Sequence, residues 1–154
     1  MNDDLQRLET WAAPLLQRLK PAERGRIARK VGTALRRSQQ KRIAAQRSPD
    51  GTSYAPRRNA PRRAKVGRIK RGAMFVKLRQ ARHLRVRVRG TPAEVVVGFK
   101  GRVSRIARIH QEGRQDNLGI NRIKHVYARR QLLGFTAADE QLIRDLILDH
   151  LRDA

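Results

Sequence analysis

Four histidines, His83, His110, His125 and His150, are the side chains in this sequence best suited to ligate a metal or move a proton near neutral pH. No two stand three or four residues apart, the spacing that brings two imidazoles onto one helix face as ligands. Glu112 follows His110 at the wrong distance for a zinc hydrolase signature. His110 adjoins an apolar helical face, so a packed or subunit-interface role is expected of it and not ligation or general-base chemistry. Five of the 13 acids, Asp139, Glu140, Asp145, Asp149 and Asp153, fall in the last helical stretch, where they read as a helix-dipole and solvated-face pattern and not as an acid-base pair. Ser38, Ser48, Ser53 and Ser104 lack a Gly-x-Ser-x-Gly context, and Gly98-Phe99-Lys100-Gly101 is too short to cradle a phosphate. There is no cysteine, hence no thiol nucleophile, thiolate metal site or disulfide. Neither catalysis nor a cofactor is expected.

Charge is what the chain has in excess. Lys and Arg number 37 against 13 Asp and Glu, a formal net charge of +24. So much like charge destabilises a compact monomer unless anions or an acidic partner screen it. Nucleic acid is one candidate, since each phosphate neutralised by Lys or Arg releases a condensed counterion; an acidic protein surface is the other. From Gly51 to Ala93 there are 14 Lys or Arg residues and no acid. Within that stretch, residues 55–72 hold only two branched apolar side chains, Val66 and Ile69, too few to bury themselves, so a basic extended arm or loop is expected. Its cations are Arg57, Arg58, Arg62, Arg63, Lys65, Arg68, Lys70 and Arg71. No Phe, Trp or Tyr lies between Tyr54 and Phe75, so stacking on bases is not available there, and any DNA contact would be to the backbone, without sequence specificity. No run approaches the roughly 20 apolar residues of a membrane span, and the N-terminus shows no secretory pattern, so no membrane partner is expected.

The elements that would position these groups follow from periodicity. Leu5, Leu8, Trp11, Leu15, Leu16 and Leu19 recur at helical spacing behind Asp3 and Asp4, with Pro14 placed to kink or divide the helix. Pro21 opens a second helix striped by Ile27, Val31, Leu35 and Ile43, and Ser48-Pro49-Asp50-Gly51 suits a type I turn. Met74, Phe75, Leu78 and Ala81 fit a short helix. His83 to Arg89 alternates, with Leu84, Val86 and Val88 on one face and basic side chains on the other; Glu94 to Phe99 completes a hairpin whose three valines suggest burial on both faces. Val103, Ile106 and Ile109 predict a helix capped by Gly113, Gln115 to Asn121 reads as a loop, and His125 to Tyr127 as a third short strand. Thr136 caps a last helix striped by Leu142, Ile143, Leu146, Ile147 and Leu151. The expected fold class is α+β: N-terminal helices, a small mostly antiparallel sheet and a C-terminal helix, forming a single domain over residues 1–154 with the basic arm at 55–72.

Four stretches carry a resemblance. They are Ser38-Gln39-Gln40-Lys41-Arg42-Ile43 before Ser48-Pro49-Asp50-Gly51-Thr52-Ser53-Tyr54-Ala55-Pro56-Arg57; Met74-Phe75-Val76-Lys77-Leu78-Arg79; Arg105-Ile106-Ala107-Arg108-Ile109-His110-Gln111-Glu112-Gly113; and Ala128-Arg129-Arg130-Gln131-Leu132-Leu133-Gly134-Phe135-Thr136. In this order they span nearly the whole chain, which resembles the phage virion morphogenesis proteins, the tail completion family of contractile-tailed phages. The resemblance implies a structural virion protein, made in the host cytoplasm and added late to the tail, that assembles as a ring, commonly six-fold, at the head-tail junction. Its implied partners are further copies of itself, tail tube or sheath proteins, neck or connector proteins, and passing phage DNA that it does not read. The arm cations together with His110, Arg129 and Arg130 are the expected interface or DNA-channel contacts; for the two arginines a solvated loop is the equal alternative. The rival reading is a small basic DNA- or RNA-binding protein.

Overall fold

A computed structural model of the chain describes residues 2–57, 72–90, 93–118 and 123–153. In chain order the elements are α1 (Asn2–Gln17), α2 (Pro21–Ala44), β1 (Leu84–Arg89), β2 (Glu94–Phe99), α3 (Val103–Glu112), β3 (Gln115–Leu118), β4 (Ile123–Val126) and α4 (Ala137–Arg152). The fold is α+β, with four helices and two small antiparallel sheets among the described residues.

Helix α1 is continuous through Pro14. The ring forgoes the hydrogen bond to the carbonyl four residues back, but Leu8 and Ala12 are buried and Trp11, Leu15 and Leu16 half-buried in one cluster with α2 and α4, and this packing supports the helix on both sides of the proline. Helix α2 begins with Pro21 at its first position, where a missing N–H costs nothing. Glu23 accepts a bond from the Lys20 backbone N–H at 3.1 Å and so satisfies the helix entrance. At 24 residues α2 is the spine of the molecule. Its first half, through Ile27 and Val31, joins Leu8, Leu19, Ile143 and Ile147 in one core; Ile43 near its end belongs to a second core with Tyr54, Leu78, Ala107 and Leu132.

Strands β1 and β2 form the expected hairpin, pairing Leu84 with Phe99, Val86 with Val97 and Val88 with Val95 on one face. That face lies on α2, closely enough that glycine is required at position 32: a Cβ there would stand 2.3 Å from Val86 Cγ1 and 3.0 Å from Val95 Cγ1. The valines of β2 are half-buried, because α2 covers only one side of the ribbon.

Two local expectations are corrected. Residues 74–79 form consecutive turns instead of a helix, because Phe75 adopts φ 64° and turns the chain where a helix would begin. Gln115 to Leu118 is a strand and not a loop: it pairs with β4 in the register Gln115 to Val126 and Asp116 to His125. Asp and Asn are poor strand formers, but Tyr127 N–H bonds to the Arg114 carbonyl at 3.2 Å and Arg105 pairs with Asp116, so partners elsewhere in the fold secure the ladder. The strands thus form two separate ribbons.

Helix α4 is capped by Thr136, whose hydroxyl accepts from Asp139 N–H at 3.1 Å, while the Asp139 carboxylate accepts from Thr136 N–H at 3.1 Å and from its hydroxyl at 2.9 Å. These reciprocal bonds form a capping box.

Candidate functional site at the root of the basic segment

The second core carries a dense set of long polar side chains, and they secure two pieces of chain without regular structure: the entry and exit of the basic segment, and residues 127–136. Helix α2 ends where Gln46 takes φ 57°, and its amide then makes a reciprocal pair with Met74, receiving Met74 N–H at 2.6 Å and donating to the Met74 carbonyl at 3.0 Å. The chain leaves α2 through the turn at residues 48–51, closed by Gly51 N–H to the Ser48 carbonyl at 2.9 Å, with Gly51 at φ 85°. Thr52 donates its N–H and hydroxyl to Asp50 Oδ1 at 2.9 and 2.6 Å, and these bonds hold the exposed Asp50 carboxyl below its usual range. Farther on, Arg57 donates to the Ala73 carbonyl at 3.3 Å. Residues 57 and 73, on either side of residues 58–71, are therefore in contact.

That place is built from aromatic rings. Phe75 stands edge-on to Tyr54, with centroids 5.8 Å apart, and to His110 at 4.8 Å; His110 in turn meets Tyr127 at 5.0 Å. Tyr54 is buried and donates to the Gln131 carbonyl at 3.2 Å, and its burial raises the phenol to about 12. Arg130 lies beneath, only 6% exposed. It donates to the Ala55 carbonyl at 2.7 Å, the Pro56 carbonyl at 2.8 Å and the Ala128 carbonyl at 3.4 Å, and its Nη1 is 3.3 Å from His110 Nδ1. A guanidinium has no lone pair to offer, so this last contact requires an unprotonated Nδ1. Burial, seconded by the Arg130 charge, lowers the His110 imidazole to about 4 and keeps it neutral. Burial and then the charge of Arg57 likewise lower the Arg130 guanidinium from its ordinary value.

Residues 127–136 are held from three sides. Gln111 on α3 accepts Leu132 N–H at 2.8 Å and Leu133 N–H at 2.9 Å and donates to the Leu133 carbonyl at 2.8 Å. Gln39 on α2 is buried; it accepts Gly134 N–H at 3.2 Å and donates to the Gly134 carbonyl at 2.9 Å. Arg42 reaches the Gly134 carbonyl at 3.0 Å, bonds to Gln39 Oε1 and pairs with Asp139 at 3.4 Å, with Arg42 10% and Asp139 1% exposed. Gly134 is required because a Cβ would lie 2.2 Å from Pro49 Cγ. Leu132, fully buried, fills the space between. Backbone groups with no ladder partner are thereby satisfied by side chains, as buried polar groups must be.

Of the residues singled out in the sequence, the structure brings together Arg57, His110 and Arg130 at the root. Arg129 is exposed beside them, with its backbone near Gly113, which caps α3 at φ 69°. Arg58, Arg62, Arg63, Lys65, Arg68, Lys70 and Arg71 lie outside the described residues. Arg130 is not a solvated side chain, since it is buried under four polar contacts. Sequence reasoning missed Gln39, Arg42, Gln46 and Gln111, and it misassigned Asp139 to a solvated helix face. Asp139 sits in the first helical turn because it caps, but it is buried because Arg42 reaches it, a contact between residues 97 apart that no local pattern announces.

The site of this α+β protein is thus a cluster of aromatic rings and a guanidinium group that bonds to backbone carbonyls. In comparison with known proteins, residues 3–152 match the phage virion morphogenesis family, and the chain belongs to that family. It is 40% identical over 150 residues to tail completion protein S of Escherichia phage P2, covering 97% of this chain and 98% of that protein. No solved structure matches it.

Proposed function

We propose that the chain is a structural tail completion subunit of a tailed phage and not an enzyme, working as a ring, six-fold by preference, at the head-tail junction, where it finishes the tail and prepares it to join a filled head. The observation that carries this reading is the end-to-end correspondence with tail completion protein S of phage P2. In this reading residues 1–154 act as one tail completion domain, and residues 55–72 form the arm that reaches an adjacent copy or the DNA-facing channel. The charge argument supports it: +24 on 154 residues calls for an anionic or acidic neighbour in the assembled state. So does the root, since Arg57, Arg130 and Gln46 hold the described residues on either side of the basic segment to the core. The partners are then further copies, tail tube or sheath proteins and neck proteins, in the virion and, during assembly, in the host cytoplasm.

Light scattering and electron microscopy on the purified chain, together with particles from phage lacking it, test the proposal. A discrete salt-resistant ring, and unjoined heads and tails in its absence, are the expected results. Deleting Arg57 to Arg71 is expected to abolish ring formation or head joining while circular dichroism stays unchanged. A monomer absent from particles, with nucleic-acid affinity falling steeply with salt, would instead establish the small nucleic-acid-binding protein.

A further inference from the structure

The outer face of the first ribbon is distinct from the arm and its root. Because β1 pairs with β2 in the register Arg85 to Gly98, Arg87 to Val96 and Arg89 to Glu94, the side of the ribbon turned away from α2 presents three arginines on alternate residues of one strand. The pairing continues one step further, where Lys100 N–H bonds to the His83 carbonyl at 3.0 Å, and this sets Lys100 at the end of the same face. Arg85, Arg87, Arg89 and Lys100 are all exposed. Among the described residues none of the four forms an ion pair, and Glu94 at the far end is the single acid in the register. Opposite charges set across a ladder would stabilise it; here Arg85 and Arg87 instead face a glycine and a valine, and successive arginines stand about 6.8 Å apart along the strand. The folded chain holds these charges in a row and supplies a single acid, Glu94 across from Arg89, beside them.

We propose that this face is a binding site for the phosphate backbone of duplex DNA. A row of cations on a stiff ribbon complements a regular row of phosphates, and the small Gly98 and half-exposed Val96 between them leave room for close approach. The face carries no Phe, Tyr or Trp to stack on an unpaired base, so a duplex is favoured over a single strand, and binding is independent of base sequence. Since Gly32 of α2 packs on the opposite side of the ribbon, the exposed α2 cations on the far side of the helix from Gly32, Arg26, Lys30 and Arg37, belong to a different surface and provide an internal control of equal charge.

The experiment is fluorescence anisotropy with the full chain and a labelled 30-base-pair duplex of arbitrary sequence, across a salt series. The triple variant Arg85→Gln, Arg87→Gln, Arg89→Gln is expected to flatten the slope of log affinity against log salt by roughly 2 to 3, about 0.9 for each lost phosphate contact. Arg26→Gln, Lys30→Gln, Arg37→Gln is expected to change it by less than about 1, and Arg85→Lys, Arg87→Lys, Arg89→Lys to retain the original slope. Equal losses from the ribbon and helix triples would overturn the site in favour of diffuse attraction, as would loss of slope in the lysine variant. An unchanged slope in the ribbon triple accompanied by loss of self-association would overturn it in favour of an acidic protein surface. Particle size is measured on the same samples, so failure of the ring reading and failure of this site give separate signals.

Discussion

Two sets of arginines in this chain have the same chemistry and opposite fates. Arg42 and Arg130 are buried and spend their donors on carbonyls, an amide, one carboxylate and one imidazole nitrogen; Arg85, Arg87 and Arg89 stand exposed in a row with no acid of their own except Glu94. The first set substitutes for secondary structure, because a planar fork with five N–H groups can satisfy several carbonyls of irregular backbone at once. The second set has its backbone partners already supplied by the ladder, and apart from Arg85 Nε, which donates to the Arg82 carbonyl at 3.3 Å, its guanidinium groups are left available to something outside the chain. A net charge of +24 is therefore not a uniform coat: part of it is internal scaffolding and part is surface.

The contrast can be tested by stability. Asp139→Ala should have the largest effect, a loss of about 3 to 5 kcal/mol by urea denaturation, because it strands the buried Arg42 and removes the capping box of α4 together. Recovery of most of that loss on adding Arg42→Met would sharpen the assignment to the stranded charge; no recovery would point to the cap. Arg130→Gln should cost about 2 to 3 kcal/mol, since it leaves the Ala55 and Pro56 carbonyls short of donors, and should speed proteolysis within residues 57–72 as the root loosens.

His110 gives the next effect, and its sign follows from its depressed value. The unfolded imidazole takes a proton near 6.5 and the folded one only near 4, so the unfolded state binds more protons in between. Stability is thus fully present above pH 6.5 and falls as pH drops towards 4, by roughly 2 kcal/mol after allowance for partial solvent access. Denaturation curves of the parent chain and His110→Gln should diverge above pH 6.5 and converge near pH 4; parallel curves would break the link between the aromatic cluster and folding. The smallest effect is expected at Arg87→Gln, within about 0.5 kcal/mol of the parent. A loss comparable to that of Arg130→Gln would erase the distinction between the two sets.

How far the sequence could be read divides along the same line. The stripe Leu142, Ile143, Leu146, Ile147, the Thr136 cap, the alternation from His83 to Arg89 and the Gly113 stop are local patterns, and α4, the first hairpin and α3 appear where they place them. Pro14 does not divide its helix, which packs along one side on the first core, and Asp116-Asn117 misled because a partner strand outweighs weak propensity.

Composition and periodicity by themselves determined the α+β class, most of the helices, the first hairpin and the uneven charge, while the resemblance carried by four motifs in order pointed to the family. Only the tertiary structure decided which polar side chains are internal. Arg130 and Arg129 are adjacent and chemically identical, yet one is buried and one is exposed, because burial depends on whether carbonyls some 75 residues away, at Ala55 and Pro56, arrive within reach of the guanidinium. Local sequence sets the backbone's periodicity over a few residues; the satisfaction of a buried polar group is settled by whatever the whole chain brings to it.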